Sequence, residues 1–345
     1  MKYTVTLRFI LLTLGAFLVM ITLFYCDRKN YSGLRIPFKR HYEAHPLNPI
    51  KKIPLGFSSS RILDIVKNDI LILDSRDGTQ LHWVDTRAGS AITYDPPGFN
   101  GQMITAAWYD QEQLYVYNGN GKTLLQKERF PENSEQQSIR PVKANVVRAI
   151  PIGKGKMLLR LRDSLNRDCH MAIYNAGSDT HYTDNWPKRN INCNCLGNDG
   201  IFAYDGRNNM FYVNFYNSRV LKFDSTLATV DEYATIDNQK TLPSVHYDEK
   251  TKTSTFYSPH RVVNAFAAAD TSYLYVLSYA SASNDLNSVL RDNAPVDRYS
   301  AKTGEYSGSY QLHGVNINEV NDLKIKDGVA YLLTSDNKIF TYKFD

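Results

Sequence analysis

One short apolar pattern recurs along the chain and limits the possible folds more than any other feature of the sequence. The stretch MFYVNFYNSRVLKFD at 210–224 places an apolar run on each side of the polar turn NFYNS. Runs of this type are rich in aliphatic, aromatic and β-branched residues and have the length of a buried strand, about 5–6 residues. The related runs are DILILD at 69–74, LYVYN at 114–118, MLLRLR at 157–162, YLYVLS at 273–278 and VAYLLT at 329–334.

The residues around each run complete a larger repeated unit. A turn-forming Asp or Gly stands close to the start of the run, and another apolar stretch precedes that turn. After the run, a second turn such as Asp-Gly or Asn-Gly leads into a third strand, and a fourth strand can follow. The unit recurs six times at a spacing of about 43 to 63 residues. The turn-forming residues are Asp69, Asp110, Gly153, Asp205, Asp270 and Asp327.

A small sheet of four strands cannot bury both of its faces alone, but radial packing around a channel buries both. The sequence therefore predicts an all-β protein, a six-bladed β-propeller of four-stranded antiparallel blades over residues 51–345. A β-sandwich is the alternative, but it does not account for a repeat of four strands.

The last unit indicates how the ring closes. Its strands are expected at 320–326, 329–335 and 338–344, and no fourth strand follows them. The unassigned segment KKIPLGF at 51–57 is the candidate for the missing strand. Because an unpaired final edge would invite aggregation, we expect this N-terminal strand to complete the last blade.

The N-terminus has the pattern of an export signal. Lys2 and Arg8 precede or flank the apolar run FILLTLGAFLVMITLFY, and Cys26 follows that run directly. A basic segment followed by an apolar one is typical of a signal peptide. Cys26 is the predicted lipidation site, although Tyr25 stands where a lipobox has a small residue.

Three fates of this N-terminus stay open. The chain is lipid-anchored at Cys26, or held by an uncleaved signal-anchor helix, or cleaved elsewhere and released. We therefore expect a signal peptide or membrane anchor over 1–26 and a linker over 27–50. The first two alternatives place the protein in the cell envelope, outside the cytoplasmic membrane and tethered to it by its N-terminus.

The repeat resembles known propeller families. YVNFYNSRVLKFD resembles the core of an NHL repeat, and its YVN resembles the YVTN type. As a set, the six units resemble the TolB-like six-bladed propellers of bacterial envelope proteins, over roughly residues 51–345. The resemblance implies a propeller that binds proteins, peptides or glycans, with enzymes as a minority.

In a propeller the first strand of each blade lines the central channel, and here those strands carry polar residues. If these residues converge at one mouth, they form a net-basic funnel that suits an anionic or hydrogen-bonding ligand. The alternative is that the lining is polar only because the channel is hydrated. The predicted ligand-binding residues are Arg61, Arg148, His260, Arg261, Asn264, Glu319 and Asn321, flanked by Ser58, Ser59 and Ser60.

The cysteines of the propeller region are Cys169, Cys193 and Cys195. Export makes a disulfide plausible, from Cys169 to one of the other two, which would connect the third blade to the fourth. Free thiols are a second alternative. A metal site that adds His170 to the three thiols is a third, because thiolates and imidazole suit zinc or copper.

The function predicted from these features is that of a membrane-tethered binding or scaffold protein without a cofactor. Its partner would be a protein or an envelope glycan or other polymer, contacted through the channel mouth and its loops. The long connection at 279–295 is either one of these functional loops or a tolerated insertion. Nucleic acid is not an expected partner, because the net charge of +5 lies largely near the N-terminus and forms no basic stripe with interleaved aromatics.

Two other functions compete with this one. A metal-dependent hydrolase or lyase would act at the propeller centre, with a cation held by Glu319, Asn264 and Asn321. Arg61 and Gln102 occupy the corresponding positions of other blades, and an arginine is a poor neighbour for a cation. A structural subunit of a larger envelope complex is the third possibility, and an exposed apolar patch would favour it.

Overall fold

The computed structural model describes residues 13, 15–21, 37–76, 78–99, 101–110, 112–119, 122–128, 130, 137–142, 145–153, 155–162, 169–175, 180–183, 195–227, 230–251, 253–257, 260–285 and 292–344. The chain divides into two compact units, Met1–Phe38 and Lys39–Asp345. In the first unit, residues 15–21 are helical. Within the described ranges, no helix has both the length and the apolar character needed to span a membrane. Cys26 lies outside the described residues.

The second unit is a propeller. Its strands are β1 (Lys51–Pro54); β2 (Ser59–Val66), β3 (Asp69–Asp74), β4 (Leu81–Asp85) and β5 (Ala91–Tyr94) of blade 1; β6 (Ala106–Asp110), β7 (Gln113–Asn118), β8 (Thr123–Glu128) and β9 (Gln137–Pro141) of blade 2; β10 (Val146–Pro151), β11 (Lys156–Arg162), β12 (Cys169–Asn175) and β13 (Thr180–Thr183) of blade 3; β14 (Gly200–Tyr204), β15 (Met210–Asn214), β16 (Arg219–Phe223) and β17 (Val230–Ala234) of blade 4; the hairpin β18 (Val245–Asp248) and β19 (Thr253–Phe256); β20 (Asn264–Ala269), β21 (Tyr273–Ser278), β22 (Asn293–Ser300) and β23 (Tyr306–His313) of blade 5; and β24 (Val320–Lys326), β25 (Val329–Thr334) and β26 (Lys338–Lys343) of blade 6. A short 3-10 helix, Ile317–Glu319, precedes β24.

The predicted architecture is confirmed: six antiparallel sheets of four strands each form the propeller. The predicted closure is also confirmed, because β1 pairs with β26 as the outer strand of blade 6. Ile53 of β1 lies opposite Ile339 of β26 and is buried. An N-terminal strand therefore covers the edge that the last blade would otherwise expose.

The core consists of apolar clusters, and each lies between two neighbouring blades. On β3, Ile70 and Ile72 pack in the cluster that contains Leu333 of blade 6, whereas Leu71 and Leu73 pack in the cluster shared with blade 2. Successive side chains of a strand point to opposite faces, so a strand between two neighbouring blades is apolar on both. This is why the repeated runs are continuously apolar instead of alternating.

Carboxylates with little exposure also join neighbouring blades. The Asp322 Oδ2 atom of blade 6 accepts from the Ile62 amide of blade 1 at 2.9 Å. The Asp64 Oδ2 atom of blade 1 accepts from the Tyr109 amide of blade 2 at 2.8 Å. Burial raises the pKa of both carboxyls, and the hydrogen bonds from backbone amides only partly oppose that effect.

A β-hairpin between blades 4 and 5 is not part of the predicted repeat. Strands β18 and β19 pair only with each other, from Val245 opposite Phe256 to Asp248 opposite Thr253. Both strands are short and half-exposed. The hairpin is thus an insertion on the scaffold and not a blade strand.

Residues 39–50, which the sequence predicts as part of a spacer, belong to the same compact unit as the propeller. We call them the strap. They run parallel to the outer strand of blade 5, with bridges from Tyr42 to Ser309 and from Leu47 to Leu312. The strap then continues directly into β1.

Arg40 anchors the strap to blade 5. Its Nε atom lies 2.8 Å from Asp297 Oδ1, and its Nη1 atom lies 2.5 Å from Asp285 Oδ2. Its Nη2 atom also donates to the Ala280 carbonyl. Burial favours the neutral guanidine, but Asp297 and Asp285 outweigh burial and raise the pKa of Arg40. Residues 280–285 of the long predicted connection therefore hold the strap.

Candidate functional site

The first strands of the blades surround the central channel. Each contacts the first strand of the next blade around the ring: β2, β6, β10, β14, β20 and β24. We call the end of the channel at which these strands begin the A-start face. Arg61 lies near the start of β2 and Arg148 near the start of β10, so two predicted residues reach this face from different blades. A register shift lies beside each of them, and such bulges redirect side chains.

Arg148 belongs to an ion-pair cluster on the A-start face. Its Nε and Nη2 atoms lie 3.0 and 2.8 Å from the two carboxylate oxygens of Asp199. Arg160 approaches the same carboxylate, with Nη1 at 2.5 Å from Oδ1. Burial raises the pKa of the Asp199 carboxyl, but the two guanidinium groups outweigh it and hold that pKa below its ordinary value. The side chain of Arg148 is 33% exposed and that of Arg160 only 3%, so Arg148 is the member that faces solvent.

Among the described residues, Arg61 forms no comparable ion pair. Its Nη2 atom donates to the Thr105 carbonyl at 2.5 Å, while its buried Nε atom has no hydrogen-bond partner in the part of the chain that the structure describes. Burial lowers the pKa of Arg61; Asp322 opposes this effect, and the like charge of Arg148 adds to it.

A row of aromatic rings leads away from Arg148. We call Phe215, Tyr216, Phe256 and His260 the aromatic ladder. The guanidinium carbon of Arg148 lies 4.9 Å from the centre of the Phe215 ring, which is a cation–π distance. Tyr216 follows at 6.0 Å from Phe215 and 5.2 Å from His260, measured between ring centres.

The inserted hairpin supplies the outer end of this ladder. Phe256 of β19 lies 3.5 Å from His260 and 5.3 Å from Tyr216 between ring centres. Tyr257 follows Phe256 and is 70% exposed. The hairpin thus extends the aromatic surface outward from the channel mouth.

Two clefts on the A-start face contain further predicted residues. One, of about 400 Å³, is lined by Asn321, Phe266 and a run of hydroxyls from Ser58 to Ser60. The other, of about 470 Å³, is lined by His260 and Arg261 together with Arg40 of the strap. Arg261 donates to the Tyr279 carbonyl at 2.8 Å, which positions its side chain along the rim.

Asn264 and Glu319 do not join this group. Asn264 is fully buried, and its Nδ2 atom donates to the carbonyls of Asn214 and Asn217, so it connects blade 5 to blade 4. Glu319 is exposed on the 3-10 helix before β24. Within the residues that the structure describes, no three His, Cys, Asp or Glu side chains are placed to hold a metal ion.

The opposite mouth of the channel is formed by the turns between first and second strands. A cavity of about 570 Å³ lies there, lined by residues of all six blades. At this end, two of the predicted turn-forming Asp residues accept hydrogen bonds from amides of their own turns. Asp205 Oδ1 accepts from the amides of residues 207–209, and Asp270 Oδ1 accepts from those of Ser272 and Tyr273. These carboxylates are already engaged by their own turns.

A disulfide connects blade 3 to the segment that leads into blade 4. It joins Cys169 to Cys195, whose Cα atoms are 5.2 Å apart. The Cys195 carbonyl accepts from Arg160, so the bridge lies next to the cluster around Asp199. Cys193 lies outside the described residues.

Several residues of the site are not among the predicted ligand-binding residues, although the sequence contains a signal for some of them. Arg160 is a charged residue inside the apolar run MLLRLR, and a charge in a buried strand needs a partner. Phe215 and Tyr216 are adjacent aromatics in the polar turn NFYNS. Asp199 has no such local signal, because it resembles any turn-forming Asp before a strand.

No protein-family model matches this sequence, and no match was found among curated proteins. Among solved structures, a member of the DUF4221 family from Bacteroides vulgatus is 12% identical, with a TM-score of 0.50, covering 90% of this chain and 98% of that chain. Virginiamycin B lyase from Staphylococcus aureus is 6% identical, with a TM-score of 0.50, covering 86% and 99%. BamB from Moraxella catarrhalis is 11% identical, with a TM-score of 0.45, covering 90% and 99%. At these identities the similarity concerns the fold alone, and the fold is that of a β-propeller.

Proposed function

We propose that this protein is an exported, membrane-tethered propeller of the TolB-like or NHL-like class that acts as a binding module, with the A-start face as its ligand surface. The partner is a protein or an envelope polymer that presents anionic groups. The tether follows from the export pattern before Cys26, and the binding role from the surface chemistry of one face.

One observation carries this proposal: Arg148 lies at a cation–π distance from the first ring of an aromatic ladder at the channel mouth. Aromatic and arginine side chains are enriched where binding energy concentrates in interfaces. They combine large contact area, cation–π attraction and bidentate hydrogen bonding. The ladder lies on blade turns and an inserted hairpin, the kind of position at which rigid scaffolds carry their binding residues.

The proposed mechanism requires no chemical step. The interlocked blades hold the face rigid, so little conformational freedom is lost when a partner binds. The basic mouth attracts anionic groups, and the ladder supplies the apolar contact area. The hairpin β18–β19 would contact the part of the ligand farthest from the channel.

The test is photo-crosslinking in cells that make the full-length protein. A photoreactive residue replaces Tyr257 on the A-start face or, as the control, Ile92, an exposed residue of the outer strand of blade 1. We expect a discrete, saturable adduct from position 257 that position 92 does not give.

Two further variants connect the adduct to the ladder. Arg148→Gln and Tyr216→Ala in the Tyr257-labelled protein are each expected to reduce the adduct at least fivefold. Ile92-labelled protein that gives the same adduct, or a Tyr257 adduct that is insensitive to both substitutions, would show that this face is not the ligand surface.

A further inference from the structure

One of the two clefts on the A-start face is lined by uncharged side chains. We call this cleft, of about 400 Å³, the serine cleft. Its volume lies within the range of small-molecule sites, roughly 300–1,000 Å³. The described part of its lining consists of five serines, two asparagines, Phe266 and Val320. A charged ligand group would find no counter-ion among these residues, so the cleft suits a neutral ligand.

Each first strand that contributes to the serine cleft has a bulge at that place. The register shifts on β2 and β24 leave one residue of each strand without a partner on the second strand, and these residues are Ser60 and Asn321. A third shift, on β20, directly precedes Phe266. All three residues line the cleft. Bulges redirect side chains and are common beside functional sites, so the strand starts are shaped around this cleft.

The turns after the second strands give the A-start face two chemically different sides. In four blades, the residue after the second strand donates its backbone N–H to the carbonyl just before the first strand. These bonds join Ser75 to Ser58, Phe215 to Asp199, Tyr279 to Val263 and Ser335 to Glu319. The same position is therefore aromatic in blades 4 and 5 but serine in blades 1 and 6. The serine cleft is the hydroxyl side of a face whose other side carries the aromatic ladder.

Only part of the polar lining is needed to hold the cleft together. Asn337 Oδ1 accepts from both the amide and the hydroxyl of Ser59, at 2.9 and 3.2 Å. Other polar side chains of the lining form no hydrogen bond with any residue that the structure describes. These are the hydroxyls of Ser58, Ser75 and Ser335 and the side-chain amide of Asn321. Hydroxyls and amides both donate and accept, so the cleft offers a ligand both kinds of partner.

The free groups suit a sugar better than a peptide. The backbone N–H groups of Ser59, Ser75 and Ser335 are already bonded within the rim, which leaves few main-chain partners for a peptide strand. Sugar hydroxyls donate and accept without charge, as the free side chains of the cleft do. The half-buried ring of Phe266 offers an apolar surface to the C–H groups of a sugar ring.

We propose that the serine cleft binds a neutral sugar residue, with Asn321 and the hydroxyls of Ser75 and Ser335 as its hydrogen-bonding partners. This inference rests on the proposed function of the A-start face as a ligand surface. Of the two partner classes proposed there, it selects the envelope polymer and identifies that polymer as a glycan. The anionic groups of the glycan would lie towards Arg148 and the aromatic ladder.

The test uses simple sugars, so it does not depend on finding the natural glycan. The full-length protein is purified in a detergent without a sugar headgroup and titrated with glucose, galactose and N-acetylglucosamine in saturation-transfer difference NMR. Glucuronate and galacturonate serve as charged counterparts, and N-acetylglycylserinamide serves as a neutral peptide. We expect a saturable signal from at least one neutral sugar, and weaker binding of the charged counterparts and of the peptide.

The variants decide where the sugar binds. Asn321→Ala and Ser335→Ala are each expected to weaken binding at least fivefold. Their matched controls are Asn208→Ala and Ser90→Ala, at exposed turns of blades 4 and 1, and these should leave the apparent Kd unchanged. If Asn321→Ala does not fold, Ser335→Ala decides alone, because Ser335 is an exposed turn residue whose backbone bond the substitution keeps.

Four results would overturn the proposal. They are wild-type protein without a saturable signal from any neutral sugar, equal binding of the charged counterparts, tighter binding of the peptide than of the sugars, and an unchanged Kd in both cleft variants. The tighter peptide would indicate a protein partner instead of a glycan.

These outcomes are separable from those of the crosslinking experiment. A sugar response without a Tyr257 adduct would support the serine cleft and contradict the proposed ligand surface around the ladder. A Tyr257 adduct without a sugar response would do the reverse.

Discussion

At the scale of single residues, three carboxylates between the blades differ in the direction of their pKa shift. Asp322 and Asp64 accept hydrogen bonds from backbone amides of the next blade, and burial raises their pKa. Asp199 lies between two guanidinium groups, and its pKa is lowered. The first kind of carboxylate connects blades, whereas the second belongs to the candidate site. The two kinds have opposite effects on how stability depends on pH.

We predict that Asp322→Asn flattens the pH dependence of stability. The folded chain holds the Asp322 proton more tightly than the unfolded chain does, so the free energy of unfolding falls as the pH rises from the ordinary value of 3.8 towards the raised pKa. Asparagine does not titrate, so this fall is lost in the variant. Denaturant unfolding of both proteins between about pH 4 and 7 measures the decrease in the free energy of unfolding. Asp95→Asn, at an exposed position, is the control, and a variant whose slope equals that of the wild type would contradict the prediction.

A second prediction concerns the disulfide. Cys195→Ala should lower the free energy of unfolding by about 3.5 kcal/mol, the chain-entropy value for a loop closed between positions 169 and 195. Cys193→Ala should leave stability and the mass of the oxidised Cys169–Cys195 peptide pair unchanged. Denaturant unfolding and mass spectrometry under non-reducing conditions check both. A Cys193→Ala variant that loses the bridge would mean that the pairing is different in the purified protein.

At the scale of elements, two segments outside the blade repeat shape the A-start face. The hairpin β18–β19 extends the aromatic ladder, and the strap brings Arg40 to the rim of the cleft that contains His260 and Arg261. The strap is held both by backbone bridges to β23 and by the buried ion pairs of Arg40. The side-chain anchor is expected to dominate, because its partners have no other cation at these distances in the described residues.

We predict that Arg40→Ala destabilises the protein by about 3–5 kcal/mol, the usual cost of removing one partner from a buried ion pair. Asp297 and Asp285 would be left buried without their counter-ion. Thermal and denaturant unfolding measure the loss. Lys39→Ala is the matched control, since Lys39 is the exposed neighbour of Arg40 and should change stability little. Equal effects of the two substitutions would show that the strap contributes no stability through its anchor.

At the scale of the whole molecule, ring closure and tethering depend on the same N-terminal part of the chain. Strand β1 completes blade 6, and the strap before it is fixed to blade 5. A tether before residue 39 would therefore connect to the propeller through a segment that is itself part of the fold. The proposed location of the protein at the membrane depends on how its N-terminus is attached there, by lipid at Cys26 or by a signal-anchor helix.

We predict that Cys26→Ala releases the protein from membranes, because it removes the proposed lipidation site. Fractionation of cells into membrane and soluble parts, with detection of the propeller region, checks this. Asp27→Ala is the control and should remain with the membrane. A Cys26→Ala protein that stays in the membrane fraction would favour the signal-anchor helix instead, and a wild-type protein that is soluble would favour release by cleavage.

Much of the fold could be predicted because its signals are local. The strands expected at 320–326, 329–335 and 338–344 correspond to β24, β25 and β26 within one residue at each end. The candidate site could be predicted only in part. Arg61 and Arg148 follow from their places on first strands, but Asn264 has the same placement and proves to be buried in contacts between blades. Strand position alone does not specify which way a side chain turns at a bulge.

The number of blades, the order of their strands and the closure by an N-terminal strand can be read from local patterns, because apolar runs and turn residues act over a few neighbouring positions. Which charged side chains pair with each other depends instead on the packing of the blades. Arg40 and Asp297 are separated by 257 positions, and Arg160 and Asp199 by 39. Their pairing depends on how the blades pack around the channel, and no local pattern encodes a contact between side chains so far apart in the chain.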